Sequence, residues 1–137
     1  MHPPQPLPGL DSKPWWDALA AGELTMQRCQ ACGRRQFPPL ERCRHCAGEL
    51  ALDAVSGCGT VHTFIVQHHP VAPGFESLRP YGIALVALEE DAAIRLPGRI
   101  LGDPKRIAIG ARVRARIERI EGGEFSVPVF ELIDDPN

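Results

Sequence analysis

The sequence predicts a mainly β protein in which an N-terminal helix and a four-cysteine zinc module precede a small five-stranded barrel. Three observations predict this fold class. A short helical segment comes first, two CxxC pairs follow it closely, and short alternating apolar runs separated by glycine-bearing turns fill the remainder. We expect a disordered leader at residues 1–11, the helix and zinc module at 12–54, and the barrel at 55–137.

The leader contains four prolines among its first eight residues, which is typical of an extended and poorly ordered segment. Asp11 or Ser12 can then cap a short helix that carries Pro14 in its first turn. We expect Gly22 to end this helix, because glycine readily adopts the left-handed conformation common after a helix C-terminus.

The cysteine module consists of Cys29-Gln-Ala-Cys32 and Cys43-Arg-His-Cys46, with ten residues between the pairs. Zinc prefers four soft ligands in a tetrahedron, and each CxxC turn can place two thiolates on one ion. We therefore predict a structural zinc ion bound by Cys29, Cys32, Cys43 and Cys46. Two disulfides and an iron site are weaker alternatives, since a reducing compartment disfavours the first and no redox partner is indicated for the second.

Neighbouring residues bear on the same module. Gly33 and Gly48 each follow a cysteine pair, and we expect them to supply the positive φ angles of the turns while backbone N–H groups point at the sulfurs. Five arginines crowd the module: Arg28, Arg34, Arg35, Arg42 and Arg44. We interpret them mainly as offsetting the zinc tetrathiolate and nearby acids, because residues 1–54 hold six basic and six acidic side chains. A basic patch for nucleic acid is the alternative.

The barrel is predicted from alternating apolar and polar residues. Its five expected strands are 60–66, 81–88, 93–100, 112–120 and 124–132, with a helical turn near 103–107. Pro128 interrupts the last strand, which suits a sheet edge or a bulge. Five strands in about 80 residues favour an OB-fold barrel, the five-stranded Greek-key architecture.

Composition excludes several classes of protein. The 15 basic and 17 acidic residues give a net charge of −2, which is unlike a typical nucleic-acid-binding domain. No stretch approaches the roughly 20 apolar residues of a membrane span, and the N-terminus lacks the features of a signal peptide. A cytoplasmic protein without membrane contact is therefore expected.

A catalytic set is not apparent in the sequence. The histidine pair His68-His69 follows the first barrel strand, and Cys58 occupies a tight turn, but solvated and structural roles are favoured for all three. No GxGxxG, P-loop or serine-centred elbow is present. We therefore expect no enzymatic activity from the isolated chain.

Several motifs together carry a family resemblance that runs from about residue 12 to 132. They are Pro14-Trp15-Trp16, Leu24-x4-Cys29-x2-Cys32-Gly33, Phe37-Pro38-Pro39 before Cys43-x2-Cys46, Ser56-Gly-x-Gly-Thr60-Val61, Pro80-Tyr81, Leu85-Val86-x-Leu88 and Gly110-x2-Val113. On these residues the chain resembles the DUF35 family of zinc-ribbon and OB-fold proteins associated with acyl-CoA enzymes. The resemblance implies a rubredoxin-like zinc ribbon followed by the barrel. One departure is Cys58, which stands where arginine is common in the family.

The resemblance also implies a function. Family members pair with thiolase-like proteins or with MaoC-like hot-dog hydratases, often in lipid or sterol metabolism, so a non-catalytic accessory subunit is expected, with acyl-CoA as a further ligand. Because aromatic anchors dominate interface energetics, we predict that Trp15, Trp16, Phe37 and Phe75 form the partner interface. The alternative is an OB-fold module for single-stranded nucleic acid or RNA, using the alternating arginines at positions 112, 114 and 116.

Overall fold

The computed structural model describes residues 3–68 and 73–133, which form one helix and eight strands. The elements in chain order are α1 Lys13–Ala20, β1 Thr25–Cys29, β2 Arg35–Gln36, β3 Leu50–Ala54, β4 Cys58–Gln67, β5 Tyr81–Leu88, β6 Arg95–Ile100, β7 Arg112–Arg119 and β8 Ser126–Leu132. Two short 3₁₀ turns lie at Glu76–Leu78 and Pro104–Arg106. The second turn was expected, and the side chain of Asp103 caps it by accepting a hydrogen bond from the N–H of Lys105 at 2.9 Å.

The helix begins and ends close to the expected positions. Ser12 is its N-cap residue, but the Ser12 hydroxyl accepts a hydrogen bond from the N–H of Gly9 at 3.1 Å instead of capping the helix. At the other end Gly22 has a φ of 90°, and its N–H donates to the carbonyl of Leu19. The glycine therefore closes the helix in the left-handed conformation that the sequence predicts.

The first three strands form a small antiparallel sheet in the order β2-β1-β3. The central strand β1 pairs along its full length with β3, from Thr25 opposite Ala54 to Cys29 opposite Leu50. On its other side β1 pairs with only the two residues of β2. The sheet thus ends at the first metal-ligand candidate, Cys29, and holds it in a fixed register.

The other five strands close into a barrel in the order β4-β5-β6-β8-β7, with β7 returning to β4. All pairs are antiparallel except β6 with β8, which meet as parallel strands at Ile100 and Phe130. The predicted mainly β fold, a zinc-ribbon region followed by a five-stranded OB-fold barrel, is confirmed. The observed strand ends differ from the expected ones by only a few residues.

Pro128 lies within strand β8 of the closed barrel, where it replaces a residue that could donate a backbone N–H. The residue is opposite Ile117 of β7, whereas the bridge between β8 and β6 is made two residues later at Phe130. The side of the strand that lacks an N–H donor at Pro128 is therefore locally an edge, as the sequence predicts. The pairing of β4 with β5 is irregular, because its register shifts between Val61 and Thr63.

A single hydrophobic core joins the ribbon side of the molecule to the barrel. Its most deeply buried side chains include Phe130, Leu96 and Val113 inside the barrel and Leu19 and Met26 from the helix and ribbon. Burying such side chains stabilises the fold by roughly 1.5–3 kcal/mol each. In the described part of the chain no helix is long and apolar enough to cross a bilayer.

Candidate metal centre and aromatic groove

The four cysteines predicted as metal ligands lie together. Their sulfur atoms are all within 4.8 Å of one another, and the closest pairs join the two CxxC turns, with Cys29 Sγ 3.4 Å from Cys46 Sγ and Cys32 Sγ 3.7 Å from Cys43 Sγ. A tetrahedral zinc ion with Zn–S bonds of about 2.3 Å separates its sulfur ligands by roughly 3.8 Å. The four thiols therefore fit a tetrathiolate zinc ion, and the prediction of a zinc cofactor is confirmed.

Backbone N–H groups point at cysteine sulfurs, as expected for CxxC turns. Cys29 Sγ accepts from the N–H groups of Ala31 at 3.3 Å and Cys32 at 3.4 Å, and Cys43 Sγ accepts from His45 at 3.4 Å. These hydrogen bonds favour the thiolate. The bond from Cys32 is the main cause that lowers the pKa of Cys29 to about 6, and the bond from His45 lowers the pKa of Cys43.

The surroundings of Cys46 show why the cluster suits a cation. The N–H of Gly48 acts to lower the pKa of Cys46, but the hydrogen bond with Cys29, burial and the other two cysteines outweigh it and raise that pKa to about 11. Four sulfurs this close cannot all be negatively charged unless a cation lies between them. A dication that binds thiolates removes this conflict, which is the chemistry of a structural zinc site.

Gly33 and Gly48, which follow the two cysteine pairs, have different structural roles. Gly33 has a φ of 77°, as predicted. The prediction for Gly48 was wrong, because Ala47 adopts the positive φ of the second turn, at 61°, and Gly48 does not. Gly48 is instead required for space, since a Cβ atom there would lie 2.9 Å from Cys29 Sγ and 3.2 Å from Cys46 Sγ.

A buried glutamine pair holds the second cysteine turn, and the sequence reasoning missed it. Gln27 and Gln36 are opposite each other on β1 and β2, and Gln36 Nε2 donates to Gln27 Oε1 at 3.2 Å. Gln27 exchanges two hydrogen bonds with the backbone of Leu40, at 2.7 and 2.8 Å. Gln36 bonds the carbonyl of Arg42 and the N–H of Arg44, at 3.3 and 3.1 Å. The pair thus fixes the loop leading into Cys43.

Two of the five arginines near the module meet an acid, in line with the interpretation from the charge count. Arg28 and Arg35 both approach Asp53 of β3, at 3.6 and 3.1 Å. Arg44 reaches the carbonyl of Phe37 at 3.4 Å. Two of the five arginines therefore share one carboxylate on the neighbouring strand, which offsets part of their positive charge.

A second feature is an apolar groove with a volume of about 890 Å³ on the outer face of the barrel, beside the helix. All four aromatic residues predicted as anchors line it: Trp15, Trp16, Phe37 and Phe75. Their rings pack in two clusters. The ring centroid of Trp15 lies 4.8 Å from that of Trp16 and 5.5 Å from that of Phe37. The ring centroids of Phe75 and Tyr81 are 6.0 Å apart.

The aromatic residues differ in exposure. Trp15 is only 6% exposed, and its indole N–H donates to the carbonyl of Thr25 at 3.0 Å, so most of the ring belongs to the core. Trp16, Phe37 and Phe75 are half-buried and keep surface free. On the polar wall of the groove Arg99 is ion-paired with Glu118. The groove is therefore an aromatic surface with one charged pair at its side.

Cys58 and His68 belong neither to the cysteine cluster nor to the lining of the groove. Cys58 is half-buried, its N–H donates to Ser56 Oγ at 3.1 Å, and it stands opposite Arg114 on β7. His68 is exposed, and His69 lies outside the described residues.

The alternating arginines of β7 are exposed on one face, as predicted. Glu131 of β8 accepts two hydrogen bonds from Arg114, at 3.1 and 2.7 Å, and one from Arg116 at 3.4 Å. The bonds from Arg114 hold the pKa of the Glu131 carboxyl below its usual range. One carboxylate thus reduces the positive charge of this face.

Comparison with protein families finds two matching domains in the chain. Residues 16–53 match the family described as "ChsH2, rubredoxin-like zinc ribbon domain", and residues 53–118 match "ChsH2, C-terminal OB-fold domain". A "DUF35 domain-containing scaffold protein" of Methanocaldococcus jannaschii is 40% identical over 108 residues, covering 75% of this chain and 74% of the relative.

Two longer relatives are named as enzyme subunits. A "Probable enoyl-CoA hydratase alpha subunit" of Thermomonospora curvata is 38% identical over 131 residues, which is 93% of this chain and 39% of the relative. The "3-oxo-4,17-pregnadiene-20-carboxyl-CoA hydratase alpha subunit" of Mycobacterium tuberculosis is 39% identical over 113 residues, 81% of this chain and 35% of the relative. The chain thus spans little more than a third of the length of these subunits.

Among solved structures, one named "Ltp2-ChsH2(DUF35) aldolase" superposes with a TM-score of 0.85 at 35% identity, covering 93% of this chain and 98% of the other. A DUF35-family protein of unknown function from Sulfolobus solfataricus has a TM-score of 0.61 at 17% identity and shows the fold alone. The likeness to the first structure includes both the ribbon and the barrel.

Proposed function

The chain belongs to the DUF35 family of zinc-ribbon and OB-fold proteins, and we propose that it is a non-catalytic accessory subunit of an acyl-CoA enzyme. Its partner is a thiolase-like protein or a MaoC-like hydratase of lipid or sterol metabolism, which it binds and supports. The proposed organisation is a leader at residues 1–11 and domains at 12–54 and 55–137, in a cytoplasmic complex.

One observation carries the proposal: the 35% identity over nearly the full chain to a protein whose name joins Ltp2 with ChsH2(DUF35) in an aldolase. The shorter relative is named a scaffold protein, and the longer ones are named subunits of CoA hydratases. In all of these names the matching portion belongs to an assembly or a scaffold. The proposal extends that role to this chain.

The zinc ribbon would serve the role as a rigid docking element. Cys29, Cys32, Cys43 and Cys46 would hold the ion, and with four protein ligands the site leaves no position for a substrate. The bound ion supplies a cross-link between the two CxxC turns. Gln27 and Gln36 hold the loop between them through backbone hydrogen bonds. A segment too small for a core of its own is thereby kept in one conformation.

The aromatic groove is the surface that we propose for the partner. Trp16, Phe37 and Phe75 are half-buried and line it, so their exposed edges could enter pockets of a partner, while Trp15 supports them from the core. Buried aromatic anchors typically contribute most of the energy of such interfaces. The volume of about 890 Å³ also lies in the range of small-molecule sites, so the groove is our candidate for the acyl portion of acyl-CoA.

A nucleic-acid function is less well supported. It would use the arginine face of β7, but Glu131 binds both Arg114 and Arg116, and the chain as a whole is acidic. The aromatic rings lie in the groove beside the helix and are therefore not interleaved with these arginines.

Co-purification of the tagged chain from its native host at moderate salt, followed by mass spectrometry, tests the proposal. We expect stoichiometric retention of a thiolase-like or MaoC-like protein. Retention of nucleic acid alone, or of no enzyme, would overturn the accessory role. Turnover of acyl-CoA by the isolated chain would overturn its non-catalytic part.

A further inference from the structure

The proline-rich leader lies against the aromatic groove. The groove that Trp16 and Phe75 line is also lined by four residues of the leader: Pro3, Pro4, Gln5 and Pro6. Pro3, Gln5 and Pro6 are half-buried. A segment of this chain therefore lies along the groove and forms part of its wall.

The contact is limited to residues 3–6 of the leader. Leu7 and Leu10 follow directly in the leader and are 97% and 94% exposed. If apolar surface alone drew the leader to the barrel, these leucines would be the residues to bury. Instead Pro3, Gln5 and Pro6 are half-buried and Pro4 is exposed, in a segment that has a preformed extended shape and few N–H donors to satisfy.

One polar anchor fixes the position of the segment. Gln5 Nε2 donates a hydrogen bond to the carbonyl of Glu121 at 3.1 Å, in the turn between β7 and β8. In the same turn Gly123 leaves room for the Gln5 side chain, because a Cβ atom at Gly123 would overlap the Gln5 carboxamide. Gln5 thus occupies a site whose shape depends on the absence of a side chain.

The anchor is incomplete. Gln5 Oε1 is buried and has no hydrogen-bond partner among the described residues. A buried acceptor without a donor costs free energy, so the leader is held less firmly than its burial alone would suggest. An incomplete anchor of this kind is compatible with displacement of the leader.

We propose that the groove is a recognition site for extended proline-rich segments, and that residues 3–6 of this chain occupy it as a displaceable strap. Aromatic grooves that bind polyproline segments exploit the same features, namely ring surfaces and a ligand with little conformational entropy to lose. The strap competes with any other occupant of the groove. Its consequence for partner binding rests on the proposed function, but the recognition itself does not, and its test needs no partner.

The test uses the full-length chain and a synthetic peptide of residues 3–10. In a strap variant Pro3, Pro4, Gln5 and Pro6 are all replaced by serine. We expect the NMR signal of the Trp16 indole N–H to shift in this variant, because the ring loses its neighbour in the groove. The Trp15 indole N–H, which is buried and donates to Thr25, should shift less than that of Trp16. Leu7→Ser is the matched control, since that exposed side chain does not line the groove.

Binding of the peptide separates recognition from an indirect effect. The strap variant should bind it at least tenfold more tightly than the unaltered chain, whose own strap acts at a high effective concentration. Adding Gly123→Ala to the strap variant should weaken binding, because the new methyl group takes the space in which the Gln5 carboxamide packs. Absence of peptide binding to the strap variant, equal binding to both chains, or an unmoved Trp16 signal would each overturn the proposal.

Discussion

Gln36 donates a hydrogen bond to Gln27 across two short strands, at 3.2 Å between Nε2 and Oε1, and both side chains are buried. Their remaining polar atoms bind the backbone of the loop that leads to Cys43. The side chains therefore replace the strand pairing that this loop lacks.

Substitution of Gln36 by leucine tests this role. The change leaves the carbonyl of Arg42 and the N–H of Arg44 without their partner, and unsatisfied buried groups cost about 1–3 kcal/mol. We expect the free energy of unfolding to fall by that amount in urea denaturation, with faster zinc loss to a chelator. Gln30→Leu, at an exposed position, is the control and should change stability by less than about 0.5 kcal/mol. Equal effects of the two substitutions would contradict the assigned role.

Gly48→Ala tests the space around the sulfurs. The added Cβ would lie 2.9 Å from Cys29 Sγ and 3.0 Å from Ala31 Cβ, so the cluster must distort to accept it. We expect zinc to transfer to a competing chelator several-fold faster than from the unaltered chain. Gly9→Ala adds the same methyl group where nothing lies within 4 Å, and its zinc transfer rate should match that of the unaltered chain. Unchanged zinc retention in Gly48→Ala would rule out the steric explanation.

Single serine substitutions distinguish the metal ligands from the fifth cysteine. Replacing Cys29 or Cys43 removes a buried thiolate ligand, so we expect less than one zinc per chain by elemental analysis and loss of ribbon structure in the circular dichroism spectrum. Cys58→Ser makes the same chemical change outside the cluster and should retain one zinc per chain. Loss of zinc from Cys58→Ser would mean that the fifth cysteine takes part in metal binding.

Phe75→Ala tests the aromatic groove as a partner surface. Phe75 is half-buried and its ring packs near Tyr81, so truncation removes a groove residue without opening the barrel core. If it is an anchor, partner affinity should fall by about 2 kcal/mol, or roughly thirtyfold. Surface plasmon resonance with the co-purified enzyme measures this. Ile109→Ala is a matched apolar control, because Ile109 is 71% exposed but lies away from the groove, and it should bind the partner normally.

The carboxyl group of Glu131 should titrate below its usual range, mainly because Arg114 hydrogen-bonds its charged form. A lowered folded-state pKa means that the pair stabilises the fold above the unfolded pKa and that this contribution is lost as pH falls through the folded value. We expect Arg114→Gln to raise the pKa of Glu131 more than Arg116→Gln does, since Arg114 makes two hydrogen bonds and Arg116 a longer one. Carboxyl-carbon NMR titration of the three chains measures this order, and the reverse order would contradict it.

Much of the fold could be predicted from the sequence because its signals are local. The spacing of Cys29, Cys32, Cys43 and Cys46 indicates a tetrahedral thiolate site without knowledge of any other residue. Alternating apolar residues predict the barrel strands, and the proline at position 128 predicts a local sheet edge there. These features depend on covalent geometry and on residues that are neighbours in the chain.

Other features depend on atoms that the sequence does not bring together. The position of the positive φ at Ala47 was mispredicted because a turn with two candidate residues can place it at either one, and the crowding of the sulfurs decides. Nothing local marks Gln27 and Gln36 as partners, since their pairing follows from the register of β1 and β2. A polar residue at a buried strand position is the one signal that could have identified them.

By itself the sequence predicted the four cysteine ligands and determined the order of ribbon and barrel and the family, since each rests on residue type and spacing along the chain. Only the tertiary structure placed Trp15 in the core while Trp16 kept an exposed edge, and brought Gln5 of the leader to the turn at Gly123. The physical reason is that burial and long-range contacts arise from how the elements pack. Packing is set by the shapes of all the side chains together, and no local pattern records it.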